Sequence, residues 1–398
     1  MKRLVIAAGL CAAFCVGAMP TKEALDAARP KVMLKTADIV KKLNSGALKP
    51  GEAADAFAAL TVKPTGEAEK FLLLNAALRL RMRSGDIAGA KAVVDRLKAE
   101  IPGITAEQLN ALMLEETPNC YAAWFSDDIS APSVRNGKEW HVKKARLERN
   151  GLTVTSLDEL RKCDHSKVVR LYLRGVKGIT DEDLAGLTGI EALDLSETGI
   201  GEIPAPVFKK KNLQNLWLAR NPIQTVPDDI RELNNLRNLR YLNLDGTHVD
   251  RIPDGLAHLP SLYYLRMNDT PLDDGMYTDS KGCRLSHFTE TLGKLRLRRL
   301  YARNTKITML PQTYRGGQMT DLDVGGTMIS EISPEWGAWS NFRTVSFAGC
   351  TKLRRLPENL DSWSKIRLID LSDTPIAKDK DEIARIRRAI GDKATIIY

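Results

Sequence analysis

Three groupings of residues carry side chains that could do covalent or metal chemistry. Asp321-Leu322-Asp323-Val324 matches the Asp-x-Asp-x arrangement of phosphoryl-transfer enzymes with an aspartate nucleophile. Cys163-Asp164-His165 sets a thiol, a carboxylate and an imidazole in direct succession, which does not make a nucleophile–base dyad. The histidines, His141, His165, His248, His258 and His287, fall at no His-Glu-x-x-His or other ligand spacing. No cysteines stand as Cys-x-x-Cys, so zinc and thioredoxin-type sites have no support. A glycine-rich phosphate loop and a Gly-x-Ser-x-Gly elbow are both missing from the sequence. It therefore predicts no catalytic residue, no metal, no cofactor and no enzyme. Side chains suited to binding remain, and the elements that position them decide what they can do.

The chain has 398 residues, 43% hydrophobic and 27% charged, which predicts two or three folded units rather than a disordered chain. Its formal net charge of +9 suits acidic proteins, anionic glycans or anionic surfaces. Residues 1–18 read as a signal peptide. Lys2 and Arg3 precede an apolar run from Leu4 to Val16, and Gly17-Ala18 supplies small residues for cleavage. The run is too short to span a bilayer. Cys11 and Cys15 follow Leu10 and Phe14 rather than the small residues of a lipidation signal. Export to the periplasm, the cell surface or the medium is the expectation, with no transmembrane segment after cleavage. Loss of Lys2 and Arg3 would leave a net charge of +7. Of the four later cysteines, Cys120 and Cys163 are the pair placed for a disulfide, and separate thiols are the equal alternative.

Residues 19–103 read as a helical domain rich in Ala, Leu, Lys and Glu, with breaks expected at Pro30, Gly46, Pro50-Gly51 and Pro64-Thr65-Gly66. Glu67–Arg83 and Ile87–Glu100 carry apolar residues at helical spacing. This hairpin resembles one tetratricopeptide-type unit at Gly85, Ala88, Ala90, Leu97 and Pro102. Residues 104–165 are read as a linker and N-terminal cap. They include an aromatic cluster at 118–125, and Ser156-Leu157-Asp158-Glu159 is set to open a short helix.

From Val168 the sequence repeats. VVRLYLRGV (168–176), IEALDLSET (190–198), LQNLWLARN (213–221), LRYLNLDGT (239–247) and LYYLRMNDT (262–270) come first. LRRLYARNT (297–305), MTDLDVGGT (319–327), FRTVSFAGC (342–350) and IRLIDLSDT (366–374) follow. The second apolar position recurs at gaps of 22, 23, 26, 23, 35, 22, 23 and 24 residues. Each motif predicts a short strand with alternate side chains on opposite faces. Ile-Pro, Val-Pro or Leu-Pro recurs after the strands at Pro204, Pro227, Pro253, Pro311 and Pro357. That favours extended or turn segments over long helices. The long gap predicts a protruding loop around 273–290.

This pattern resembles the leucine-rich-repeat family, in its short, roughly 23-residue class. The resemblance implies an α/β solenoid, a right-handed horseshoe of about nine coils whose parallel strands line a concave face. Repeats would occupy 166–376 and a cap 377–398, where Lys380–Ile390 reads as an amphipathic helix before a last strand, Thr395–Tyr398. The Asp-x-Asp-x motif then loses its special status, because Leu322 and Val324 sit on the buried repeat positions. The terminal Thr of most motifs replaces the family's usual Asn, so that polar ladder is expected to be weaker or differently arranged.

The expected partner site lies on the concave face at Arg170, Tyr172, Arg174, Trp217, Tyr241, Tyr264, Arg266, Arg299, Tyr301 and Arg303. Such aromatic and guanidinium side chains often anchor binding. The alternative is that the rings stack to stabilise the sheet. A protein partner is the first expectation, and an anionic polysaccharide or envelope component the second. An enzyme with its site outside the repeats is a distant third. Basic runs such as Lys209-Lys210-Lys211 read as solvated faces, and no nucleic-acid partner is expected.

Overall fold

The computed structural model describes residues 20–112 and 151–398, apart from short stretches at 45–46, 63–65, 85, 102, 106–107, 110–111, 228–232, 313, 315–317, 338–340 and 392–393. The expected signal peptide, the 118–125 aromatic cluster, Cys120 and His141 lie outside the described residues. The chain divides into two compact units, 1–150 and 151–398.

The first unit contains α1 (Lys22–Asn44), α2 (Pro50–Ala59), α3 (Glu67–Ser84) and α4 (Ile87–Glu100). α3 packs against each of the others, and Phe71, Leu73, Leu74, Ala77 and Leu78 are buried along it. Arg81 of α3 bonds to Asp55 of α2 and to Asp86, whose carboxylate caps α4 by accepting the Gly89 N–H. The expected break at Pro30 does not occur: α1 runs straight through it. Proline costs a helix one backbone hydrogen bond. Here Leu25, Ala28, Val32 and Thr36 stay buried at helical spacing on both sides of the exposed proline, so packing overrides the local cost.

The second unit is built on an 11-stranded sheet. Its strands are β1 (Leu152–Val154), β2 (Val168–Tyr172), β3 (Ala192–Asp194), β4 (Asn215–Trp217), β5 (Tyr241–Asn243) and β6 (Tyr264–Arg266). After an inserted hairpin, β7 (Met276–Thr278) with β8 (Arg284–Ser286), come β9 (Arg299–Tyr301), β10 (Asp321–Asp323), β11 (Thr344–Ser346), β12 (Leu368–Asp370) and β13 (Thr395–Ile397). Every neighbouring pair in the large sheet is parallel, and the central leucines align: Leu171, Leu193, Leu216, Leu242, Leu265 and Leu300. These six are almost wholly buried, as are Leu173, Leu195, Leu218 and Leu244 two residues on. Burial of each contributes about 1.5–3 kcal/mol, which one coil cannot collect without its neighbours.

The return arms answer to their prolines. Pro204 and Pro253 are extended and lead into 3₁₀ turns, Ala205–Lys209 and Asp254–His258. Lys210 departs from the solvated basic run expected of it. It is buried, and its ammonium donates to Leu184 O and Ala185 O (2.5 and 3.0 Å) at the end of the helix Asp181–Ala185. The insertion is ordered rather than a bare loop, because the antiparallel β7–β8 hairpin runs into a helix, His287–Lys294, capped by Ser286. At the C-terminal end the helix Lys380–Ile390 buries Ile383, Ile386 and Ile390, stops at Gly391 and is followed by β13.

The turn after each strand has a common form. The residue before the terminal polar position has positive φ, whether glycine (Gly246, Gly326) or not (Glu197, Arg220, Asp269, Asn304, Asp373). The threonine hydroxyls of Thr198, Thr247, Thr270, Thr305, Thr327 and Thr374 each donate to the carbonyl three residues back, at 2.6–2.8 Å. Asn221 does more. Its Nδ2 donates to Leu218 O and, one coil back, to Leu195 O, while its Oδ1 accepts from Gly199 N. Cys350 also reaches back, its thiol lying 3.2 Å from Val324 O. Each threonine therefore closes its own coil, whereas asparagine and cysteine tie neighbouring coils together and also touch the threonine of the coil before, Thr198 and Thr327.

Candidate interaction surface

Each strand presents two outward residues beside its buried central one, with a third outward position two residues further on. The parallel register lines these into columns. The first runs Arg170, Ala192, Asn215, Tyr241, Tyr264, Arg299, Asp321 and Thr344. The second runs Tyr172, Asp194, Trp217, Asn243, Arg266, Tyr301, Asp323 and Ser346.

Five predicted aromatics form one continuous stack. Ring centroids are 6.2 Å apart for Tyr172–Trp217, 5.2 Å for Trp217–Tyr241, 4.5 Å for Tyr241–Tyr264 and 5.2 Å for Tyr264–Tyr301. Edge-to-face and tilted pairs at this range contribute about 0.5–1.5 kcal/mol each beyond their area. The guanidinium of Arg266 lies over Tyr301 and that of Arg299 over Tyr264, at 5.0 and 5.6 Å.

The predicted residues are thus gathered, but they are not uniformly exposed. Tyr172, Trp217, Tyr241, Arg266 and Tyr301 are buried, Trp217 at 3% exposure and Arg266 at 0%. Arg170, Arg174, Tyr264, Arg299 and Arg303 are half-buried. Burial pushes the Tyr172 and Tyr241 hydroxyls well above the ordinary phenol range, so both are protonated at neutral pH.

Nor is the face simply basic. Arg266 pairs with Asp245 (2.6 Å), Arg174 with Glu197 (2.6 Å), Arg299 with Asp321 (3.2 Å) and Arg303 with Asp323 (3.7 Å). Arg170 has a long contact with Thr153 Oγ1 (3.5 Å). The acidic positions interleaved along the columns neutralise the cations locally.

The same acids have a backbone role that the repeat pattern did not disclose. In the second column Asp194, Asn243, Asp323 and Asp370 each accept the N–H two residues on, at 2.8–3.0 Å. In the next column Asp245 accepts Asn268 N and Asn268 accepts Arg303 N, which joins successive coils. Asp or Asn at one fixed repeat position was the available signal, since such side chains favour turns. Both aspartates of the Asp-x-Asp-x motif are engaged, and Asp323 is the one with this backbone role. Asp321 Oδ2 accepts from Thr320 Oγ1 and Arg299, and Asp323 caps Gly325 N. Cys163 ends the short helix Leu157–Lys162, its thiol donating to Leu160 O, and burial raises its pKa. No group of three or more potential metal ligands occurs among the described residues.

Repeating strand–turn–arm coils on one parallel sheet define a leucine-rich-repeat solenoid, and the chain is a leucine-rich-repeat protein. It is 34% identical over 111 residues to a probable glycoprotein hormone G-protein coupled receptor of Anthopleura elegantissima, covering 27% of this chain and 12% of the receptor. It is 27% identical over 146 residues to the volume-regulated anion channel subunit LRRC8E of Xenopus laevis, covering 36% and 18%. Vasorin of Xenopus tropicalis is 37% identical over 70 residues, 18% of this chain and 10% of vasorin. The chain thus spans less than a fifth of the length of these relatives. A solved leucine-rich-repeat protein of Leptospira interrogans aligns over 63% of this chain and 70% of its own, at 18% identity and a TM-score of 0.39. No family model matches the chain. No helix among the described residues is long and apolar enough to cross a membrane.

Proposed function

We propose that this chain is an exported leucine-rich-repeat protein that works without catalysis and binds another protein through the concave, strand-lined face. The observation that carries the reading is the ring stack from Tyr172 to Tyr301 with half-buried Arg170, Arg174, Tyr264, Arg299 and Arg303 beside it. Packed rings and paired guanidinium groups are already ordered, so a partner meets a surface that loses little side-chain entropy on binding. Tyr264 and Arg303 combine partial exposure with support from buried neighbours, the setting in which binding energy concentrates. Lys2, Arg3 and the apolar run to Val16 support export.

Site-specific photocrosslinking tests the surface. A benzophenone amino acid at position 264 or 303 is expected to give partner adducts in extracts and envelope fractions of the source. The same probe at exposed Asp361 or Lys352 is expected to give none. Adducts from the second pair alone would move the partner site off the sheet. A reporter enzyme active only outside the cytoplasm, fused after residue 30, tests export. Lys2→Glu with Arg3→Glu should abolish its activity.

A further inference from the structure

The residue immediately before each strand forms a second row, at the lip of the sheet. From β5 to β12 this row reads Arg240, Tyr263, Arg298, Thr320, Arg343 and Arg367. It is joined residue to residue by backbone hydrogen bonds. Tyr263 N donates to Arg240 O, Arg298 N to Tyr263 O, Thr320 N to Arg298 O, Arg343 N to Thr320 O and Arg367 N to Arg343 O, all at 2.7–3.1 Å. All four arginines are exposed, and so are Arg237 and Arg296 just before them in their coils.

This row differs from the sheet face beside it. None of these six arginines belongs to an ion pair among the described residues. From the coil of β5 to that of β12, the positions one, three and four before the strand contain no Asp or Glu. Arg343 and Arg367 are direct neighbours, an arrangement of like charges that costs stability. Coils are spaced about 4.8 Å apart, so the cations stand about 5 or 10 Å from one another in a line one residue wide. Tyr263, 38% exposed, lies within the line, with Arg298 over its ring at 5.1 Å.

We infer that this lip binds a linear anionic polysaccharide, its carboxylate or sulfate groups held by the arginine forks and one sugar ring laid on Tyr263. Guanidinium groups match such oxyanions in bidentate geometry. A narrow row fits one extended polymer chain rather than the plane of a bilayer. A single aromatic does not provide the succession of stacking platforms that single-stranded nucleic acid uses. The inference is independent of the protein site proposed above.

The test uses the full chain with polygalacturonate and dextran sulfate, beside a DNA duplex and phosphatidylglycerol vesicles as competing polyanions. Arg298→Gln, Arg343→Gln and Arg367→Gln are combined in one variant. A control removes three charges elsewhere, with Lys352→Gln, Arg354→Gln and Arg388→Gln. The expected result is polysaccharide affinity about tenfold or more lower in the lip variant and within about twofold in the control. Tyr263→Ala is expected to lower it by about threefold with no change of charge. Equal losses in both triple variants, or no polysaccharide binding by the unaltered chain, would overturn the inference. So would DNA or vesicle binding that is as tight and equally sensitive to the lip variant. Circular dichroism checks the fold, and single Arg343→Gln stands in if the triple variant unfolds. Crosslinking at Tyr264 and Arg303 should persist in the lip variant, which separates failure here from failure of the protein-binding reading.

Discussion

The two halves of the sheet place their aromatic side chains on opposite sides. From β2 to β9 the inward strand positions are mainly leucine, with Phe288 of the inserted helix buried beside them, and the rings of Tyr172, Trp217, Tyr241, Tyr264 and Tyr301 stack on the outward face. From β10 to β12 the outward columns carry Asp321, Asp323, Thr344 and Ser346, and the rings have moved inside. There Tyr314, Trp336, Phe342 and Trp363 form a second stack, with centroids 5.2–6.2 Å apart. Its polar handles bond to backbone carbonyls, the tyrosine within its own coil and each indole one coil back. Tyr314 OH donates to Leu297 O, Trp336 Nε1 to Pro311 O and Trp363 Nε1 to Trp336 O. Aromatic content alone therefore says little about binding in a solenoid; the side of the sheet on which a ring falls decides whether it can face a partner.

The largest effect should come from the inner stack. Trp336→Ala is expected to cost about 3–5 kcal/mol in urea unfolding, because it empties a core site and removes an indole donor. A loss below about 1.5 kcal/mol would mean that the arm closes over the gap and the contrast between halves is wrong. Next comes the coil junction. Asn221→Ala should cost about 2–3 kcal/mol, since Leu195 O, Leu218 O and Gly199 N lose their partner together. Thr305→Val, which frees one carbonyl of its own coil, should cost about 1 kcal/mol. Equal costs would erase the distinction between a residue that links coils and one that closes a coil. On the outward face, Tyr264→Ala should destabilise by about 1–2 kcal/mol, and Thr344→Ala in the ring-free half by about 0.5 kcal/mol or less.

The smallest predicted effect concerns the two ends of the solenoid. Asp183 is held near a pKa of about 2 by hydrogen bonds from Arg161, against the opposing effect of burial. Burial pushes Glu382 up, but hydrogen bonds from Arg385 and Leu356 N hold it below the usual glutamate range. Both carboxyls are more acidic folded than unfolded. Their stabilisation is present above the unfolded-state pKa and is lost as pH falls through the folded value. Unfolding midpoints measured from pH 5 to pH 2 should therefore fall less steeply in Asp183→Asn and in Glu382→Gln than in the unaltered chain. Parallel curves would show that other carboxylates govern the acid limb.

Much of the fold was legible because a leucine has one place to go in a coil. The nine strand positions, the proline-led arms and the terminal helix–strand cap follow from apolar spacing and turn chemistry. Pro30 misled because its local cost is one hydrogen bond, which the buried faces of α1 outweigh. Lys210 misled because nothing in a run of three lysines says which one meets a helix end. At the candidate site the residue types were readable and their state was not. Tyr241 and Arg266 belong to the outward columns, yet their burial and pairing depend on Tyr264 and Asp245, which lie in adjacent coils.

Arm length and strand register are independent in this solenoid. Between β6 and β9 an inserted hairpin and helix lengthen one arm, yet Leu265 still sits opposite Leu300 and Tyr264 opposite Arg299. Thr270 and Thr305 on either side each close within their own coil. The sheet thus counts coils and is indifferent to how much chain separates them. Arms can take on new segments, and whole coils can be duplicated or lost, while every surviving strand keeps its place and its outward side chains.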